Sequence, residues 1–222
     1  MKTIFIEARW KGKLEVPDKL IDELPDKIAL FGSVQFLDCL EQAKKKIESR
    51  GKKVLLLKTE HTKYPGQLLG CNIKEFKKEK QDFDAFLYIG DGCFHPKALV
   101  LKNHKPAFAL NPLSKKYFKL EEKDVIDMKK KVKGALMKFM ESKEIGVLIS
   151  TKPGQIDMKK AYELEKKFPD KNFYFLIFDT IDFNELENFP FVECFVNTAC
   201  PRISYDEAEK ISKAVVDVDE LD

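Results

Sequence analysis

The stretch "IALFGSVQFLDCLEQAKKKIESRGKKVLLLKT" (28–59) decides the fold class, because it reads as one strand–helix–strand unit. Its ends are short and almost continuously apolar, which predicts strands over 27–33 and 53–58. Between them, apolar residues recur at helical spacing over 34–50, and Gly51 follows as a helix stop. Continuously apolar strands are typical of parallel sheets that are covered on both faces. This unit therefore predicts an α/β fold.

The same alternation continues along the chain. Further apolar runs predict strands over 3–8, 85–92, 107–112, 145–151, 173–180 and 194–200, and helical periodicity predicts helices over 121–142 and 156–168. The stretch 145–180 repeats the strand, turn, helix and strand order of 28–59. We therefore predict an α/β fold of two similar small domains, each a mostly parallel sheet flanked by helices. The predicted domains are 1–120 and 121–222, with the boundary within the helix 121–142.

Composition and charge exclude several classes of protein. Hydrophobic residues make up 44% and charged residues 35% of the 222 residues, as in a globular protein. No apolar run approaches the roughly 20 residues of a membrane helix, and the first apolar run is too short for a secretory signal. The net charge is only +3, so we expect no direct nucleic-acid binding. We expect a cytoplasmic protein with no membrane association.

The chain has five cysteines, an odd number, and no C-x-x-C pair. This argues against a disulfide framework, a zinc ribbon and a thioredoxin-like site. Cys39 and Cys194 lie inside predicted helix or strand interiors, and we expect them to be buried. Cys71, Cys93 and Cys200 each follow a predicted strand or turn, where metal ligands and nucleophiles occur more often than in the interior of a helix or strand. The pattern alone leaves both these roles and a purely structural role open.

Other polar residues also follow predicted strands, where ligands gather in parallel sheets. In "GDGCFHPKAL" (90–99), Asp91 and His95 lie beside Cys93, an arrangement suited to a metal or to a nucleophile–base couple. "STKPGQ" (150–155) resembles an anion-binding turn at a helix N-terminus. The residues that such a turn offers are Ser150, Thr151, Gly154 and Gln155. Neither a P-loop nor a G-x-G-x-x-G motif is present.

Four segments together resemble a known family. They are "TKYPGQLLGC" (62–71), "DAFLYIGDG" (84–92) with "FHP" (94–96), "ISTKPGQ" (149–155) and "FVNTACPRIS" (195–204). In their order, spacing and residue identities, these segments resemble those of the radical enzymes of diphthamide biosynthesis, the 2-(3-amino-3-carboxypropyl)histidine synthases. The resemblance covers essentially the whole chain. Four motifs in register over such a length are far more specific than any one of them.

The resemblance implies a chemistry. Enzymes of this family bind a 4Fe–4S cluster through three cysteines, one from each of three related α/β domains, with S-adenosylmethionine at the open iron. They cleave the Cγ–S bond, and the 3-amino-3-carboxypropyl radical adds to a histidine of translation elongation factor 2. The implied partners are elongation factor 2 as protein substrate and an electron donor. By resemblance, Cys71 and Cys200 fill the second and third ligand positions.

The resemblance also leaves a ligand to be supplied. It matches the family's second and third domains, and we expect the first domain and its cysteine to be absent from this sequence. A separately encoded first-domain subunit, a second copy in a homodimer, or Cys93 would complete the set. The family usually has arginine at the position of Cys93, so a neutral replacement of that arginine is the alternative.

The other candidate roles rest on motif position. The resemblance places His95 and Asp91 near the substrate or the cluster. We expect the turn of Ser150, Thr151, Gly154 and Gln155 to hold the carboxylate or amine of S-adenosylmethionine near helix N–H donors. We expect Arg202 to pair with a carboxylate in bidentate fashion. A surface ion pair with Asp206 is the alternative for Arg202. For the whole chain, the alternative is a non-catalytic subunit that binds elongation factor 2 or an electron-delivery protein without a cluster of its own.

Overall fold

The computed structural model describes residues 4, 6–60, 62–70, 76 and 82–221. The chain forms two compact units, Met1–Ile126 and Asp127–Asp222. Each unit contains its own sheet, and the strand pairs within each sheet are mostly parallel. The prediction of an α/β fold with mostly parallel sheets flanked by helices is confirmed. None of the helices in the described part of the chain is both long and apolar enough to cross a membrane.

The first unit is built on a five-stranded sheet. Its elements are α1 (Asp18–Glu23), β1 (Lys27–Gly32), α2 (Leu37–Glu48), β2 (Lys53–Leu55), β3 (Ala85–Ile89), α3 (Phe94–Asn103), β4 (Ala107–Leu110) and β5 (Tyr117–Leu120). The strand order is β2-β1-β3-β4-β5. Strands β2, β1, β3 and β4 run parallel, and β5 is antiparallel to β4. Short 3₁₀ helices span Val34–Phe36 and Glu122–Val125.

Alternate residues of the central strands face two different cores. Leu30 and Leu87 pack on the side of α1 and α2, in a cluster that also contains Leu40. Phe31 and Tyr88 pack on the opposite side, in a cluster with residues of α3 such as Leu99. Because both faces of β1 and β3 are covered, the continuous apolar runs of the sequence are explained.

The second unit is built on a four-stranded parallel sheet. Its elements are α4 (Ile126–Glu141), β6 (Glu144–Ser150), α5 (Met158–Lys167), β7 (Asn172–Phe178), β8 (Cys194–Asn197), α6 (Arg202–Tyr205) and β9 (Val215–Asp217). The strand order is β7-β6-β8-β9. Phe139 of α4 and Leu164 of α5 cover one face. Short 3₁₀ helices and Ile203 of α6 cover the other, against Phe195.

Four elements differ from the sequence predictions. The predicted strand over 3–8 is wrong for its described residues, which have no regular structure and expose Ile4 and Ile6 to solvent. Helix α3 occupies Phe94–Asn103, where no helix was predicted. The strands β5 and β9 were not predicted, because they have only 4 and 3 residues. Local β-propensity does not by itself provide a neighbouring strand to pair with.

Several predicted elements are real but shorter. The strand predicted over 53–58 ends at Leu55, and that over 85–92 ends at Ile89. The strand predicted over 194–200 ends at Asn197. In each case the chain turns into a loop at the carboxyl edge of its sheet, although apolar or small residues continue. These loops carry the candidate residues.

Candidate functional site

The loop that leads to Cys71 is fastened to the end of β1. The N–H of Gly32 donates to the carbonyl of Gly66 at 2.8 Å, and the N–H of Leu68 donates back to the carbonyl of Gly32 at 3.0 Å. Gln67 is buried, and its side-chain oxygen accepts the N–H groups of Lys63 and Tyr64. This segment is therefore held by backbone pairing at the sheet edge. Cys71 itself lies outside the described residues.

His95 lies in the first turn of α3, against the buried Tyr88 of β3. The hydroxyl of Tyr88 is 3.2 Å from Nδ1 of His95, and the two rings stack with centroids 5.1 Å apart. Burial raises the pKa of Tyr88 to about 12. A Cβ built on Gly70 would lie 3.8 Å from Nε2 of His95. The structure therefore brings His95 beside the residue that directly precedes Cys71.

Asp91 links the ends of β3 and β4. Its Oδ1 accepts the N–H of Gly92 and the side-chain amide of Asn111, each at 2.8 Å. Gly92 has φ of +76°, in the left-handed region that favours glycine. Cys93 then stands exposed at the start of α3, and its thiol is free. Asp91 therefore shapes the turn that presents Cys93.

Two cysteines are unsuited to bind a metal. Cys39 and Cys194 are both 0% exposed. Burial raises the pKa of the Cys39 thiol, and it raises the pKa of Cys194 to about 12. Burial disfavours the thiolate that a metal binds, and the prediction that both side chains are buried is confirmed.

The turn at 150–155 is engaged with neighbouring backbone. Ser150 is 2% exposed, and its hydroxyl accepts the N–H of Lys152 at 3.2 Å. Gly154 has φ of +82° with open space around it. Helix α5 begins beyond this turn, at Met158, and the carboxylate of Asp157 already accepts the N–H of Lys160 at 3.0 Å. The turn therefore precedes helix α5, and the N-terminus of that helix is capped by Asp157.

Cys200 lies in the loop after β8 and is partly buried, with a free thiol. The side chain of Asn197, at the end of β8, donates to the carbonyl of Cys200 at 2.9 Å and to Asp217 at 3.1 Å. Arg202 follows in α6, where two of its nitrogens donate to Oδ2 of Asp206 at 3.2 and 2.7 Å. This hydrogen bond raises the pKa of Arg202. Arg202 therefore forms the ion pair with Asp206 that is the alternative to its role in binding a carboxylate.

Within each unit, the candidate residues gather at one edge of the sheet. In the first unit, Asp91, Cys93 and His95 follow β3, and Gly70 lies beside His95. In the second unit, Ser150 ends β6, and Cys200 follows the adjacent strand β8. Over the described ranges, no group of three or more His, Cys, Asp or Glu residues could hold a metal ion. The donor type of the free thiols fits an iron–sulfur cluster, whereas no complete ligand set lies among those residues.

Sequence reasoning missed the residues that support the candidates. Tyr88 and Asn197 lie in the quoted motifs, but each was treated as part of an apolar strand. Asn111 and Asp217 lie outside the motifs, at the ends of β4 and β9. The available signal was a polar residue that closes a buried apolar run, since a buried polar group needs a hydrogen-bond partner.

Comparisons with known proteins agree with the motifs. The family model described as "Putative diphthamide synthesis protein" matches residues 1–222. The 2-(3-amino-3-carboxypropyl)histidine synthase of Pyrococcus horikoshii is 30% identical over 205 residues, covering 91% of this chain and 58% of that protein. The protein of the same name from Methanocaldococcus jannaschii is also 30% identical, covering 93% of this chain and 57% of its own length.

A solved structure has the same fold. The crystal structure of Dph2 from Pyrococcus horikoshii with a 4Fe–4S cluster superposes with a TM-score of 0.77 at 28% identity. The match covers 92% of this chain and 58% of the Dph2 chain. This chain therefore spans little more than half the length of these relatives.

Proposed function

Because this chain belongs to the diphthamide synthesis family, we propose that it is part of an iron–sulfur, S-adenosylmethionine-dependent transferase. The group transferred is 3-amino-3-carboxypropyl, and the acceptor is a histidine of translation elongation factor 2, in the first step of diphthamide formation. The reaction takes place in the cytoplasm and requires an electron donor. The observation that carries the proposal is the free, partly buried thiol of Cys200, in a motif loop at the carboxyl edge of its sheet.

Three cysteines would hold the 4Fe–4S cluster. By the family resemblance, Cys71 and Cys200 are two of the proposed ligands, whereas Cys39 and Cys194 are fully buried. Cys93 is the proposed third ligand, since its free thiol is exposed where β3 leads into α3. A separate first-domain subunit or a second copy of this chain is the alternative source. When bound, the cluster would supply the electron that breaks the Cγ–S bond of S-adenosylmethionine.

The remaining candidates would bind and orient the substrates. Thr151, Gly154 and Gln155 offer a turn with open space beside Gly154, where a carboxylate could approach the backbone. Ser150 would support that turn, since its hydroxyl already accepts the N–H of Lys152. Arg202 would pair with a substrate carboxylate in competition with the ion pair that it forms with Asp206.

His95 and Asp91 have distinct proposed roles on the first unit. His95 would contact the substrate from beside Gly70, with Nδ1 held by the hydroxyl of Tyr88. Asp91 would act through the turn that it forms with Gly92 and Asn111.

Reconstitution of the cluster without oxygen tests the proposal. Iron and sulfide are measured and the reduced protein is examined by EPR, with about four irons expected for each bound cluster. Cys71→Ala and Cys200→Ala should each lose most of the iron, whereas Cys39→Ala, a buried cysteine, is the matched control. Cys93→Ala then distinguishes an internal third ligand from an external one.

The outcomes separate the alternatives. Iron that survives both Cys71→Ala and Cys200→Ala would contradict the proposed ligands. If the wild-type chain binds little iron, the measurement is repeated with the segment of the Pyrococcus horikoshii relative that this chain does not match. Failure there as well would favour a partner subunit that has no cluster of its own.

A further inference from the structure

The backbone of Cys200 is held by a buried group of polar side chains, Asn197, Ser204 and Asp217, which we call the Asn197 bracket. Asn197 is 0% exposed and uses both ends of its amide. Its Oδ1 accepts the N–H of Ala199 at 3.1 Å, and its Nδ2 donates to the carbonyl of Cys200 at 2.9 Å. The side chain thus spans the whole turn between β8 and the cysteine.

Asp217 anchors the bracket from the neighbouring strand. Asn197 and Asp217 are paired in the parallel register of β8 and β9. Asp217 is only 4% exposed, and its Oδ2 accepts from Nδ2 of Asn197 at 3.1 Å and from the hydroxyl of Ser204 at 3.3 Å. Its Oδ1 accepts the N–H of Asp219 at 3.2 Å. A carboxylate buried to this extent would be costly without such donors.

Ser204 closes the bracket on the other side of the cysteine. It lies in α6, four residues after Cys200, and is 7% exposed. The N–H of Ile203 also donates to the carbonyl of Cys200, at 3.0 Å. The segment before Cys200 and the helix after it are therefore tied to the same carboxylate of Asp217.

We propose that Asn197 is a positioning residue for the Cys200 thiol, and that Asp217 and Ser204 hold Asn197 in place. A cysteine has one rotatable bond between its backbone and its sulfur, so a fixed backbone leaves only three staggered positions for the sulfur. In a metal site, each metal–ligand distance must lie within about 0.2 Å of its ideal value. The bracket confines the backbone, and this matters for catalysis only if the proposed cluster function holds.

Alkylation of the metal-free chain tests the bracket without requiring a cluster. The rates of iodoacetamide modification of Cys200 and Cys194 are measured by mass spectrometry in Asn197→Ala and Ser204→Ala. Thr198→Val is the matched control, because Thr198 is also buried at the end of β8 but donates its hydroxyl to Leu148. Cys194 is fully buried in β8, so a rise in its alkylation rate would report global unfolding.

We expect Cys200 to react about tenfold faster in the bracket variants than in the control, with Cys194 still protected. Equal rates in all variants, or a parallel rise at Cys194, would overturn the proposal. If Asn197→Ala does not fold, Ser204→Ala alone decides between these results. After reconstitution, the bracket variants should also lose iron to a chelator faster than the control.

The two proposals fail separately. Unchanged alkylation of Cys200 in a chain that binds iron would reject the bracket and leave the transferase function standing. Faster alkylation of Cys200 in a chain that never binds iron would keep the bracket and reject the function.

Discussion

Gly66→Ala perturbs the loop that leads to Cys71. Gly66 has φ of +76°, its N–H donates to Leu57, and its carbonyl accepts the N–H of Gly32. An added Cβ would lie 2.8 Å from side-chain carbons of both Leu40 and Leu56. These distances are shorter than van der Waals contact, so the loop or the core must shift.

The expected loss of stability has two parts. The left-handed backbone costs a non-glycine residue about 1–2 kcal/mol, and overpacking of a core costs about 1–3 kcal/mol. Gly51 provides the matched control in the same unit, because its φ is +83° but nothing lies within 4 Å of an added Cβ. Gly51→Ala should therefore show only the first part.

Urea unfolding followed by tryptophan fluorescence measures the difference. Trp10 is the single tryptophan of the chain, and it packs on Phe36 in the first unit, so its signal reports that unit. We expect Gly66→Ala to lower the free energy of unfolding by about 1–3 kcal/mol more than Gly51→Ala. Equal losses in the two variants would refute the packing argument.

Three further predictions concern single side chains. The raised pKa of Tyr88 keeps its hydroxyl protonated, so this hydroxyl should donate to Nδ1 of His95. Nitrogen NMR should therefore show His95 as the tautomer with its proton on Nε2, and Tyr88→Phe should give a mixture of both tautomers. A mixture in the wild type would contradict this. Hydrogen bonds, first from Arg9, lower the pKa of Glu7 from 4.5 to about 2. The contribution of ionised Glu7 to folding stability is present above about pH 4.5 and is lost as the pH falls towards 2. Arg9→Met should move the NMR titration midpoint of Glu7 upward, and an unchanged midpoint would exclude Arg9 as the main cause. Cys93→Ala should change the free energy of unfolding by less than about 0.5 kcal/mol, because the side chain is exposed; a larger loss in urea unfolding would mean that Cys93 packs.

Much of the fold could be predicted from local pattern. The apolar run at 28–32 becomes β1 because its side chains alternate between two covered faces. Helix α3 was missed because Pro96 and the preceding glycines suggest a bend. Proline is tolerated in a first turn, however, since the N–H groups there have no intrahelical partner. The strand predicted over 3–8 failed because its described residues have no neighbouring strand.

The candidate site divides in the same way. The sequence by itself determined the family motifs and the placement of Cys93 and Cys200 after strands, because strand ends are marked locally where an apolar run stops. Only the tertiary structure decided which groups support them. Asn197 and Asp217 are 20 residues apart and meet through the register of β8 and β9. That register depends on the pairing of the whole sheet and the burial of both its faces, which no local stretch of sequence specifies.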